Sequence, residues 1–79
     1  MSKVIFKFRD VEISERDGRY FIKYDVGTIA PVMREDEISM QEAQTAIASK
    51  EDLNNVMIEL QKRLTREGVN AYVSNLKLI

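Results

Sequence analysis

Seventy-nine residues with 12 basic and 13 acidic side chains, a net charge of −1, make at most one small domain. Near-neutrality argues against a generic polyanion binder and against an acidic nucleic-acid mimic. The chain contains no His, Cys or Trp, which removes imidazole and thiol chemistry, thiolate metal sites and disulfides, so no enzyme activity and no cofactor is expected. A chain of this size buries only about 60% of its unfolded surface, and its core must be helped by well-formed local structure or by self-association. Lys3, Lys7, Arg9 and Asp10 interrupt the early apolar run, and no stretch approaches the ~20 apolar residues of a membrane span. A soluble, cytoplasmic protein without membrane contact is the expectation.

The charge is unevenly placed. Residues 1–24 carry six basic and four acidic groups, residues 25–59 two and eight, and residues 60–79 four and one. From the N-terminus, Lys3–Ile13 and Arg19–Val26 are rich in β-branched and aromatic residues. Asp17-Gly18 between them suits a two-residue turn with positive φ at both positions. That turn sets a register in which Arg16 faces Arg19, Ser14 faces Phe21, Ile13 faces Ile22 and Glu12 faces Lys23. Ile13, Ile22, Val11, Tyr24, Tyr20 and Val26 then share an inner face. A straight continuation would oppose Asp10 to Asp25, and Val4, Phe6 and Phe8 have the wrong parity to join the inner set. A β-bulge near Arg9-Asp10 is predicted to correct it. Phe21, Lys23, Glu12 and Lys7 fall on the outer face. An outward aromatic among charges is a candidate anchor for a protein partner.

Gly27–Ile38, with Pro31, reads as a connection, with Ile29, Val32 and Met33 tucked under the domain edge. Arg34-Glu35-Asp36-Glu37 reads as an acidic turn ahead of a helix, and it lacks the spacing of an oxygen-ligated metal loop. Asp25-Val26-Gly27-Thr28 shares a four-residue pattern with aspartic proteases, but such enzymes need two facing carboxylates, and a strand end followed by a Gly turn is the preferred reading.

Ser39-Met40-Gln41-Glu42 is a capping box that starts a helix running to about Ala48. Ser49 begins a second, weaker cap. Leu53, Met57, Leu60 and Leu64 then form one stripe at alternating spacings of four and three. Met40 and Ile47 fall off that stripe, so a break is predicted near Ser49. Lys62, Arg63 and Arg66 occupy the last turns, Gly68 is placed to end the helix, and Glu59 is spaced to pair with Arg63. Val69–Ile79 reads as a strand.

The expected fold is therefore α+β. It is a small, mainly antiparallel three-stranded sheet, ββααβ or ββαβ, in the order 2-1-3, with the helices on one face. The expected function is a protein-binding or regulatory module, of the kind found among bacterial or phage accessory proteins, that masks a larger protein partner through Phe21, Lys23, Glu12 and Lys7. A homodimer through the sheet edge or the C-terminal strand is the second expected association. The alternative is a nucleic-acid contact through Lys3, Lys7, Lys62, Arg63 and Arg66.

Overall fold

The computed structural model describes residues 2–27 and 32–70. Its elements run β1 (Lys3–Phe8), β2 (Val11–Arg16), β3 (Arg19–Asp25), β4 (Met33–Ile38), α1 (Met40–Ala48) and α2 (Lys50–Arg66). The strands form one antiparallel four-stranded sheet in the order β1-β2-β3-β4, with both helices on its inner face. The α+β class stands. The three-stranded, 2-1-3 sheet does not: among the described residues there are four strands, each beside its predecessor. Residues 71–79, which carry most of the expected C-terminal strand, lie outside the described residues, as do Ile29 and Pro31.

Two local readings account for the correction. Lys3–Ile13 is two strands, not one long one. The chain reverses at Arg9-Asp10, so that Phe8 pairs with Val11 and Phe6 with Ile13. The parity conflict that suggested a bulge there is the signature of this second hairpin. The true irregularity lies between Val4 and Phe6, where Ile5 is the extra residue. Arg9 has φ 56, a left-handed conformation usually given to Gly or Asn, which is why the turn has no sequence signal. The second correction is β4. Its residues alternate across the sheet although four of the six are charged.

The other turn follows its sequence closely. Asp17 and Gly18 have φ 52 and 77, and the β2–β3 register pairs Arg16 with Arg19, Ser14 with Phe21, Ile13 with Ile22 and Glu12 with Lys23. The helices also begin and end where their caps require. Ser39 Oγ accepts from Glu42 N while Glu42 Oε1 accepts from Ser39 N, closing the capping box. Ser49 is extended at φ −161 and breaks the helix in two, its hydroxyl accepting from Asp52 N. Past Arg66, Gly68 at φ 78 lets Val69 N reach Leu64 O and Gly68 N reach Thr65 O, the paired bonds of a Schellman end.

The core joins both layers. Ile13, Ile22, Tyr24 and Ile38 from the sheet meet Ala43, Ala46, Leu53, Val56, Leu60 and Leu64 from the helices, with Phe6, Phe8, Val11, Tyr20 and Met57 packed around them. Small Ala43 and Ala46 let α1 lie close to the sheet. Burying a large aliphatic side chain stabilises by about 1.5–3 kcal/mol, so the two fully buried isoleucines at the sheet centre are among the main contributors.

Candidate functional site

The two faces and two edges of the sheet treat charge differently. On the outer face one cross-strand row reads Lys7, Glu12, Lys23, Glu35, alternating in sign over all four strands. Lys23 Nζ lies 3.8 Å from Glu12 Oε2. Arg16 Nη2 donates to Glu35 at 2.7 Å, and its guanidinium lies 3.9 Å above the centre of the Phe21 ring. Arg19 grips Glu37 with two bonds of 2.9 and 2.6 Å, which holds the Glu37 carboxyl below the usual range. Phe21 therefore lies outward, as its register requires, but half-buried beneath Arg16. Phe21, Lys23 and Glu12 are already engaged by neighbours. Arg16 is the residue that sequence reasoning missed. Its position one pair from the turn, diagonal to Phe21, was the available signal.

The inner side of β4 holds a buried polar group. Arg34 is 3% exposed and forks onto Asp36 through Nε at 3.2 Å and Nη2 at 2.9 Å, while Nη1 donates to Asn70 O. Tyr24 donates its hydroxyl to the same carboxylate at 2.6 Å. Burial first, and the Asp36 bond second, push the Tyr24 hydroxyl up to about 12. At the end of β3, opposite the first residue of β4, Asp25 accepts from Gly27 N and Val32 N, both at 2.8 Å, which lowers its pKa. Its carboxylate ties Gly27 to Val32, in keeping with the strand-end reading.

The basic residues of the nucleic-acid reading are divided between two ends of the fold. Lys3 and Lys7 lie on β1, an edge strand among the described residues. Arg63 is turned toward the other edge, donating to Glu37 O at 3.1 Å and to Glu42 at 3.2 Å, not to Glu59. Glu59 pairs with Lys62 at 3.6 Å instead. The 17-residue α2, about 25 Å long, runs from Lys50, whose ammonium is 5.9 Å from the Phe8 ring, to this β4 corner. A depression of about 430 Å³ beside that corner is lined by Asp36, Glu37, Glu42, Arg63 and Glu67, and its first three carboxylates already hold arginines. Burial works against the Glu42 charge, but the Ser39 amide and Arg63 outweigh it and hold the carboxyl low.

The β1 edge is the contrasting region. Among the described residues no strand pairs with its outer side. Val4 is 52% and Ile5 37% exposed, two adjacent apolar side chains on one edge, whereas Met40, Ile47 and Ile58 are scattered over the helices. Neither Lys3, opposite Glu15, nor Lys7, opposite Glu12, forms an ion pair among the described residues, and Glu12 pairs with Lys23 instead. Where β1 ends, a groove of about 260 Å³ opens between Phe8, Val11, Leu53 and Met57, rimmed by Arg9 and Lys50. No family model, curated protein or solved structure matches the chain. Among the described residues no helix is long and apolar enough to cross a membrane.

Proposed function

We propose that this chain is a non-enzymatic protein-binding module that engages and modulates a larger protein through the β1 edge, Lys3–Phe8. The observation that carries this reading is the open, partly apolar edge itself. Among the described residues β1 has a neighbour on one side only, so its other side presents unpaired backbone groups, and Val4 and Ile5 add exposed apolar surface beside them. The outer face is less suited, because a partner docking on Phe21 would first have to displace Arg16 from both the ring and Glu35. Pairing of β1 with β1 of a second copy is also unfavourable. Each copy brings Lys3 and Lys7 and no acidic residue in the strand, so neither strand would supply a carboxylate to offset the ammonium groups along the seam.

The absence of cysteine makes the test direct. Ile5→Cys and Glu37→Cys variants each carry a single benzophenone, one on the β1 edge and one on β4. In nuclease-treated extract of the native cell, one dominant protein adduct at position 5 and none at position 37 is expected. Adducts from position 37 alone, or loss of all adducts on nuclease treatment, would overturn the reading.

A further inference from the structure

We infer that the segment received by β1 is an extended acidic peptide, lying as a fifth strand with a carboxylate opposite Lys7 and an apolar side chain turned toward the Phe8 groove. The inference rests on the edge reading above and adds the chemistry of the partner. Three observations converge on it.

The first is the outer-face row. Lys7, Glu12, Lys23 and Glu35 alternate in sign from β1 to β4, and the next position outward, beside Lys7, is the place where the alternation calls for an acid. The second is that Lys3 and Lys7 have no ionic partner among the described residues, while Arg16, Arg19, Lys23 and Arg34 on the other strands all do. The third is the opposite face of the same strand. Phe6 and Phe8 turn inward, and the groove among Phe8, Val11, Leu53 and Met57 opens on that inner face at the end of β1. Arg9 and Lys50 stand at its rim, 5.3 and 5.9 Å from the Phe8 ring, so positive charge borders the apolar floor. An acidic strand with alternate apolar residues fits the Lys7 row on one face and the Phe8 groove on the other, with Lys3 adding positive charge near the start of the strand, and a basic one meets like charge at both lysines. The same lysines discourage pairing with a second copy and select an unlike partner.

The test uses the full chain and two fluorescein-labelled seven-residue peptides, one alternating Glu and Val, the other Lys and Val, read by fluorescence anisotropy. The acidic peptide is expected to bind at least about tenfold more tightly, with affinity falling as salt rises. The Lys3→Glu/Lys7→Glu variant, whose exposed positions leave the fold intact by circular dichroism, is expected to reverse the preference. A Lys62→Glu/Arg66→Glu variant is expected to leave it unchanged. Equal binding of both peptides to the native chain would overturn the inference while leaving the edge reading in place. Loss of preference in the α2 variant but not the β1 variant would move the acidic ligand off the edge and also overturn it. If neither peptide binds, the inference fails, and the edge reading is judged by the position-5 adduct alone.

Discussion

β1 and β4 flank one sheet and use charge in opposite ways. Four of the six β4 residues are charged, and each is tied to a neighbour: Glu35 to Arg16, Glu37 to Arg19, and Arg34 to Asp36. β1 carries two lysines, neither of them paired among the described residues. On β4, charge fixes a strand that apolar burial alone would not hold. On β1, where Phe6 and Phe8 already anchor the strand to the core, charge is left exposed to solvent. A charged strand can thus be a structural element or a surface for a partner, and pairing distinguishes the two.

Removing the counter-charge on β4 should have the largest effect. Asp36→Ala leaves a 3%-exposed guanidinium without its fork and the Tyr24 hydroxyl without its acceptor, and should cost about 3–5 kcal/mol in urea unfolding. A loss below about 1 kcal/mol would show that the Arg34 group is not what holds β4 in place.

Acid should separate the edges next. Asp25, Glu37 and Glu42 all have lowered pKa values, from backbone amides, from Arg19, and from Ser39 with Arg63. A carboxyl whose folded pKa is depressed contributes its stability above the unfolded value and loses it as pH falls through the folded one. Stability should therefore hold at neutral pH and decline below the ordinary values of 3.8 for Asp and 4.5 for Glu. All three groups border β4, so on lowering the pH amide protection, taken relative to the intrinsic exchange rate at each pH, should fall in β4 before β2. Uniform loss across the sheet would contradict the contrast.

Smaller effects belong to the β1 side. Arg9→Gly removes a left-handed non-glycine residue and should stabilise by up to about 1 kcal/mol. Replacing both edge lysines, Lys3→Gln/Lys7→Gln, should change unfolding free energy by no more than about 0.5 kcal/mol while weakening the acidic peptide. A large stability loss there would make these lysines structural.

The same contrast explains what the sequence made legible. The Asp17-Gly18 hairpin, both serine caps, the break at Ser49 and the end at Gly68 rest on local rules, in which the residue type itself sets the backbone. β4 was not legible because its strand character depends on cations of β2 and β3, distant in the chain. Its alternation of Arg34, Asp36 and Ile38 with Met33, Glu35 and Glu37 resembles an acidic turn until Arg16 and Arg19 are set opposite. The β1–β2 turn was hidden because Arg9 occupies a place normally marked by Gly. Of the candidate site, Lys7 and the outward side of Phe21 were readable from register. The Arg16 cover could have been read from that same register, since Arg16 sits diagonal to Phe21, whereas the edge left open among the described residues could not, since it requires the strand order.

The strand order has a kinetic consequence. Every strand lies beside the one made just before it, and β1–β2 and β2–β3 are closed by two-residue turns, so most of the sheet forms from short-range contacts. Rates of two-state folding rise as contacting residues come closer along the chain. With the Asp17-Gly18 turn able to nucleate on the ~1–10 μs timescale of hairpin formation, the sheet can grow outward from β2–β3, with β1 added on one side and β4 on the other.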